Sequence, residues 1–168
     1  MNYYKLKPSL LNDPQISVDN KNELNRIWQE TDAINCHTNL ISSDEVLPYL
    51  EITAMYNRYF LVSSEMFNIF IRHDNNLLNR PAALQSLDNR VVARKFVKPI
   101  SVSCIHSSTT FKGDIISELI LDKKRCNNVP IFLIEHYMQK ILICNEIILE
   151  QLLFQGIYPF DFFKIDCE

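Results

Sequence analysis

The most regular pattern of hydrophobic and polar positions lies between residues 129 and 165. Residues 131–135 and 140–143 are short apolar runs with several β-branched side chains, which predicts two buried strands. Residues 137–139 supply the turn between them. This part of the chain therefore predicts an antiparallel hairpin.

A helix is predicted directly after the hairpin. The Asn145 side chain can accept a hydrogen bond from a free N–H group of the first turn, and Glu146 places negative charge at the positive end of the helix dipole. Gly156 suits a left-handed C-terminal stop, and residues 157–165 predict a final aromatic strand broken by Pro159. The predicted apolar face of the helix consists of Ile148, Leu149, Leu152 and Leu153.

The same order of elements occurs earlier in the chain. Residues 59–62 predict a strand, and a helix that begins at Ser63 or Ser64 continues to Ile71. When residues 59–70 are aligned with residues 140–151, each reads as an apolar strand, a small polar cap, a glutamate and a helix. Any strand that leads straight into a helix needs such a cap, so about half of the similarity follows from shared capping physics, and the pattern predicts that the fold uses the strand-to-helix unit more than once.

The remaining patterns are weaker. Residues 3–6 predict a short strand that ends at Pro8, and residues 91–102 predict one or two strands bent near Pro99. Within them, the basic residues Arg94, Lys95 and Lys98 predict a solvated face.

Helical spacing of apolar residues predicts a short amphipathic helix over residues 22–31. Residues 79–81 predict a loop, with the alternative that Pro81 opens a turn of helix up to residue 87. Residues 122–125 predict an exposed turn. Strands outnumber helices, so the chain is predicted to be α+β, with a mixed or mainly antiparallel sheet and a few helices packed on one side.

Length and composition narrow the possible classes. At 168 residues, a single domain over residues 1–168 is expected. The two glycines, Gly113 and Gly156, cannot form a glycine-rich phosphate loop. The five cysteines are odd in number and form no CxxC pair, and neither a secretory signal nor an 18-residue apolar stretch is present. We therefore expect a cytoplasmic protein with reduced thiols and no membrane partner.

Charge is unevenly distributed along the chain. The net charge of −3 argues against nucleic-acid binding. Residues 13–56 contain eight acidic and two basic side chains, a net charge of −6, which leaves +3 for the rest of the chain. We interpret residues 13–56 as an acidic segment and residues 57–168 as a scaffold.

No catalytic or metal-binding constellation stands out. The nearest cysteine and histidine pairs are Cys36 with His37 and Cys104 with His106. Adjacent strand residues point to opposite faces, and neither pair has two further ligands nearby, so we predict no metal, no cofactor and no catalytic residue. One enzymatic alternative stays open, a cysteine-dependent hydrolase that pairs Cys104 with His106 or His136.

Three short motifs carry a family resemblance. They are Tyr-Tyr-Lys-Leu at residues 3–6, Tyr-Phe-Leu-Val-Ser-Ser-Glu-Met at residues 59–66, and the hairpin and helix with a late glycine at residues 131–157. In these motifs and their order, the chain resembles the immunity proteins of bacterial polymorphic-toxin and contact-dependent growth inhibition systems, especially a family long known only as a domain of unknown function. Residues 12–56 have no close counterpart.

The resemblance implies a non-enzymatic toxin inhibitor, which binds one cognate toxin domain in the cytoplasm of the producing bacterium. Many toxins of these systems act on nucleic acids and present a basic cleft, which an acidic surface would complement. Trp28 is the only tryptophan, and it suits either a core anchor or an interface contact. The predicted toxin-binding residues are Asp19, Glu23, Trp28, Asp32, Asp44 and Glu45. A regulatory protein-interaction module is a further alternative, and the oligomeric state stays open.

Overall fold

The computed structural model describes residues 1–8, 16–18, 34–38, 49–54, 57–86, 89–157 and 160–168. These residues form thirteen strands and three helices, and the strands make sheets of five, six and two strands. Most neighbouring strands are antiparallel, and the parallel pairs join the third strand to the sixth and the tenth to the last. The predicted α+β class with mainly antiparallel pairing is confirmed.

The five-stranded sheet contains the predicted hairpin. Its strands are β1 (Tyr3–Pro8), β10 (Ile120–Leu121), β11 (Ile131–His136), β12 (Gln139–Asn145) and β13 (Phe160–Cys167), in the order β10-β13-β1-β12-β11. The hairpin register places Leu133 opposite Leu142. β1 lies between β12 and β13 and is antiparallel to both, so the first strand of the chain is central in the sheet.

Both faces of the five-stranded sheet are buried. Successive strand residues point to opposite faces, so β1, β11, β12 and β13 contribute to two separate cores, whereas β10 contributes Leu121 to one of them. The first core contains Leu6, Ile131, Leu133, Leu142, Cys144 and Phe160. The second core contains Tyr3, Phe132, Ile134, Ile141, Ile143 and Ile165. This double burial explains why β11 and β12 are continuous apolar runs and not alternating ones.

The first core is closed by two helices and the six-stranded sheet. The helices are α1 (Ser64–His73) and α3 (Glu146–Phe154). The sheet contains β2 (Ile16–Val18), β3 (Ile34–Thr38), β4 (Tyr49–Ala54), β5 (Asn57–Val62), β6 (Leu78–Ser86) and β7 (Val91–Lys98), in the order β2-β3-β6-β7-β5-β4. Phe60, Met66 and Ile148 bring these three elements into one core.

The second core is closed by the chain between residues 100 and 129. This stretch contains β8 (Thr110–Lys112), β9 (Ile115–Glu118) and the short helix α2 (Lys123–Cys126). Leu121 and Cys126 are buried in the second core. The stretch also borders β11, where the Val102 N–H donates to the Leu133 carbonyl at 2.9 Å. α1 and α3 therefore lie on one side of the five-stranded sheet, whereas α2 lies on the other.

The two longer helices begin at buried side-chain caps. The Asn145 side chain accepts from the Ile148 N–H at 3.0 Å, as predicted. In α1, Ser63 accepts from the Met66 N–H at 3.1 Å. The cap of α1 is therefore Ser63 and not Ser64, which aligned with Asn145 in the sequence comparison. The two strand-to-helix units are similar, but offset by one residue.

The end of α3 also follows the prediction. Gly156 has φ 68°, its N–H donates to the Leu153 carbonyl at 3.0 Å, and the Ile157 N–H donates to the Leu152 carbonyl at 3.0 Å. This pair of bonds is a Schellman motif, which needs a residue without steric cost in the left-handed region. The prediction that Leu153 faces the core is wrong, because the first core contacts α3 through Ile148, Leu149 and Leu152 only.

Two predictions in the middle of the chain are wrong. The expected loop or helix around Pro81 is strand β6, and pairing with β3 begins only at Ala82, so the missing N–H of Pro81 removes no bond on that side.

Arg94 is not on a solvated face, since it is 6% exposed on β7 and shares its face of the strand with the buried Phe96. Burial lowers the pKa of the Arg94 guanidinium.

The predicted turn at residues 122–125 is instead the start of α2. Asp122 accepts from the Lys124 and Arg125 N–H groups, and Asn127 ends the helix in a left-handed conformation.

Among the described residues, no helix is long and apolar enough to cross a membrane.

Replacing the α1 cap should destabilise the protein at one serine and not at its neighbour. Ser63→Ala leaves the buried Met66 N–H without its acceptor, so we expect the free energy of unfolding to fall by about 1 kcal/mol. Ser64→Ala, the matched control, should change it by less than about 0.5 kcal/mol. Urea unfolding of the two variants measures the difference. Equal losses would contradict the assignment of Ser63 as the cap.

Removing the Tyr3 hydroxyl should not harm the fold. Within the described structure this buried hydroxyl has no hydrogen-bond partner, and the ring packs edge-on against Phe132 at 5.4 Å. Tyr3→Phe keeps the ring, so we expect the free energy of unfolding at neutral pH to stay constant or rise by about 1 kcal/mol. Tyr4→Phe, the control, removes a hydroxyl that interacts with the Glu146 carboxylate, so its free energy of unfolding should not rise.

The same variant has a pH signature. Burial raises the pKa of Tyr3 from 10.0 to about 12, so the unfolded chain ionises this phenol before the folded protein does. The contribution of Tyr3 to stability is fully present below pH 10.0 and is lost as pH rises towards about 12. Tyr3→Phe should therefore lose less stability over this range than the wild type. An identical alkaline loss in both proteins would show that Tyr3 is not responsible.

Candidate functional site

The tip of the β11–β12 hairpin exposes large apolar side chains. Tyr137 is 75% exposed and Met138 is 61% exposed. Asparagine, aspartate and glycine are the usual residues of such turns, because they adopt positive φ with little strain and are suited to solvent exposure. Here Tyr137 itself has φ 47°, which is rare for a bulky side chain. The backbone of the turn therefore holds an aromatic ring in solvent at a cost in strain.

A second hairpin enlarges this exposed surface. β8 and β9 form a two-stranded sheet, and Phe111 and Ile115 on it are exposed. The Phe111 and His136 rings are 4.7 Å apart, and the His136 and Tyr137 rings are also 4.7 Å apart. We call the exposed Phe111, Ile115, Tyr137 and Met138, together with the half-buried His136, the hairpin-tip surface.

The hairpin-tip surface rests on a fixed support. The Gln139 side-chain oxygen accepts from the Ile116 N–H at 2.8 Å and so joins the two hairpins. Directly below the tip, Glu135 accepts from the Ser101 hydroxyl at 2.7 Å and lies 3.6 Å from the Lys140 ammonium. Ile134 continues β11 into the second core. The aromatic side chains therefore project from an ordered platform, which reduces the entropy lost when a partner binds.

This arrangement suits protein recognition better than chemistry. Tyrosine, phenylalanine and methionine are enriched where protein partners bind, and exposed apolar residues grouped in one place typically mark such contacts. A strained residue that the surroundings hold in place is also typical of functional sites. The hairpin-tip surface is therefore the candidate site among the described residues.

The six toxin-binding residues predicted from the sequence lie outside the described residues. They are Asp19, Glu23, Trp28, Asp32, Asp44 and Glu45. The described parts of the acidic segment are β2, β3 and β4, which join the six-stranded sheet through β6 and β5. Sequence patterns did not predict these three strands. Part of the acidic segment is thus built into the same sheet as the scaffold.

Cys104, the nucleophile of the alternative cysteine-dependent hydrolase, lies in an environment that is unsuitable for a nucleophile. Cys104 is completely buried in the second core, and a hydrogen bond with the Cys126 thiol, together with burial, raises its pKa. A nucleophilic cysteine needs the opposite, an accessible thiolate. Neither proposed base partners this thiol, because His106 bonds Ser108 and Glu168 while His136 packs between aromatic rings.

The His106, Ser108 and Glu168 side chains form a cluster that resembles a catalytic triad only in composition. The Ser108 hydroxyl lies 3.1 Å from His106 Nδ1, and Glu168 Oε2 lies 3.2 Å from the same nitrogen. A triad uses opposite ring nitrogens, so that the base takes a proton on one side while the acid orients it on the other. Because both contacts are to Nδ1, this cluster does not have that geometry.

The other described cysteines are also structural. Cys144 is fully buried at the end of β12, and burial raises its pKa. Cys126 is a free thiol buried in the second core, and Cys167 is a free thiol packed against that core. Within the described ranges, no group of three or more histidine, cysteine and acidic side chains has the geometry to hold a metal ion.

Comparisons with known proteins add no relative. No protein-family model matches the chain, and a search of curated proteins finds no significant match.

A single sequence signal could have pointed to the hairpin-tip surface. Tyr137 and Met138 occupy a two-residue turn in which polar residues or glycine are usual. Their contact with Phe111 carries no local signal, because it depends on where the β8–β9 hairpin lies in the tertiary structure.

Proposed function

We propose that this protein is an immunity protein, which binds a cognate toxin domain in the cytoplasm of the producing bacterium and neutralises it. The hairpin-tip surface is the observation that carries the proposal, because it presents grouped, exposed aromatic side chains on an ordered support. The sequence motifs at residues 3–6, 59–66 and 131–157 support the same function through their resemblance to immunity proteins.

The hairpin-tip surface has the chemistry of a binding hot spot. In the complex, the Tyr137 and Met138 side chains would insert into a pocket of the toxin and lose their solvent-exposed area. Aromatic anchors of this type contribute a large share of binding energy in protein interfaces. The His136 and Phe111 rings would support Tyr137 from the side, so that little side-chain freedom is lost on binding.

The acidic segment adds an electrostatic contribution in the proposed complex. Its net charge of −6 between residues 13 and 56 complements the basic cleft of a toxin that acts on nucleic acid. Complementary charge mainly raises the association rate and the specificity, and it is screened by salt. The apolar hairpin-tip surface would instead govern dissociation, which most affinity differences reflect.

Tyr137→Gly separates the proposed function from folding. Glycine adopts positive φ without steric cost, so we expect the free energy of unfolding to stay constant or rise by up to about 1 kcal/mol. Loss of the aromatic anchor should weaken toxin binding by about 30-fold or more, chiefly through faster dissociation. The measurement uses the toxin domain that the proposed function expects to be encoded directly upstream of this chain, with surface plasmon resonance for binding and bacterial growth for protection.

Phe154→Ser is the matched control for this experiment. Phe154 is the most exposed aromatic side chain among the described residues, at 93%, and it lies on α3, on the opposite side of the five-stranded sheet from Ile116 and β9. The control should bind the toxin normally. Wild-type affinity in Tyr137→Gly, or an equal loss in both variants, would rule out the hairpin-tip surface.

Charge removal in the acidic segment should have a different kinetic effect. Combined alanine replacement of Asp19, Glu23, Asp32, Asp44 and Glu45 should lower the association rate about tenfold or more at low salt and flatten its salt dependence. Rates measured from low to physiological salt test this. Unchanged rates and salt dependence would remove the acidic segment from the proposed interface.

The same experiments address the alternative of a regulatory interaction module. A module of that kind would retain a protein-binding hairpin-tip surface but would not protect cells from the toxin encoded upstream. Absence of both complex formation and growth protection with that toxin domain would overturn the immunity function.

A further inference from the structure

A cleft of about 580 Å³ lies on the α2 side of the protein, outside the hairpin-tip surface. One wall is formed by Lys123 and Lys124 of α2 and by Asn127 and Asn128, which follow it. We call this site the α2 cleft. Its volume is within the range of small-molecule sites, which span about 300 to 1,000 Å³.

The carboxylates of the α2 cleft are already paired within the protein. Asp122 Oδ1 accepts from the Lys124 N–H at 3.0 Å, and Asp122 Oδ2 lies 3.2 Å from the Arg125 guanidinium. Glu168 Oε2 accepts from the Ser108 hydroxyl at 3.0 Å and lies 3.2 Å from His106 Nδ1. Each negative charge therefore has its own donors.

The two lysines of the α2 cleft have no such partners. Within the part of the chain that the structure describes, neither the Lys123 nor the Lys124 ammonium forms an ion pair, and both residues are exposed. The α2 wall therefore presents two ammonium groups with free donors, beside two carboxylates, Asp122 and Glu168, that already have donors within the protein.

Recognition in this cleft would use side chains. The main-chain N–H of Lys123 donates to the Glu168 carbonyl at 2.9 Å, and those of Lys124 and Arg125 donate to Asp122. Asn127 and Asn128, at φ 47° and 57°, are both exposed and offer amide groups next to the lysines. Ammonium groups with neighbouring amide donors suit tetrahedral oxyanions.

We propose that the α2 cleft binds a small anion through a phosphoryl group, held by Lys123 and Lys124 with the Asn127 amide as a neutral donor. The phosphoryl group could come from inorganic phosphate or from a phosphorylated metabolite. The site is separate from the proposed toxin interface, so failure of either proposal leaves the other intact.

Titration by two-dimensional NMR tests the proposal. Inorganic phosphate and glycerol 3-phosphate are added in turn to ¹⁵N-labelled full-length protein, with sodium chloride used to keep the ionic strength constant. We expect saturable shifts of the amide signals around His106, Asp122 to Asn128 and Glu168. Equal affinity for both probes identifies free phosphate as the ligand, whereas tighter binding of glycerol 3-phosphate identifies a phosphorylated metabolite. Absence of saturable shifts with both probes overturns the proposal.

Charge-matched variants distinguish a site from general attraction. Lys123→Gln combined with Lys124→Gln should weaken phosphate affinity about tenfold or more. Lys112→Gln combined with Lys164→Gln removes the same charge from exposed lysines on β8 and β13, outside the cleft, and should preserve affinity. An equal loss in both double variants overturns the proposal, because it shows non-specific screening.

A third variant guards against indirect effects on folding. Asn127→Gly keeps the left-handed conformation that ends α2 and removes only the amide group. We expect weaker phosphate binding with an unchanged or higher melting temperature. Unchanged affinity in Asn127→Gly, together with unchanged affinity in the double lysine variant, also overturns the proposal.

Discussion

Burial of both faces of the five-stranded sheet is the constraint on which the rest of the structure depends. Four of its strands, β1, β11, β12 and β13, place side chains into two cores, so neither face can be left to solvent. The first core requires α1, α3 and the six-stranded sheet as a cover. The second requires the long stretch between residues 100 and 129. That stretch consists of short strands and a one-turn helix, because it covers one face of the five-stranded sheet.

The same constraint positions both proposed sites. β11 and β12 are fixed on both faces by core residues, and their turn projects beyond the cores, where Tyr137 and Met138 are exposed. The stretch that covers the second core carries β8 and β9 to this turn and carries α2 to the end of β13. One covering segment thus completes an apolar surface at one place and a charged cleft at another. The two have different chemistry and imply different ligands.

The acidic segment and the scaffold differ in how their acidic side chains are balanced by basic ones. In the described residues, the carboxylates Asp122, Glu135 and Glu168 are each engaged by local donors, and the buried Arg94 lies near Glu65. The excess of acidic side chains is concentrated between residues 13 and 56, part of which forms β2, β3 and β4. In the proposed function, this surplus of negative charge would attract the partner.

The sequence by itself determined the features whose causes are local. The hairpin of β11 and β12, the Asn145 cap and the Gly156 stop follow from side chains within a few residues of each other. The tertiary structure alone decided burial and juxtaposition. Arg94 is buried because β7 lies between β5 and β6, and β6 tolerates Pro81 because its neighbour β3 pairs only from Ala82. Phe111 contacts His136, Cys104 contacts Cys126, and His106 contacts Glu168. Each contact joins segments that are distant in the sequence, so hydrophobic periodicity and turn propensities could not predict it.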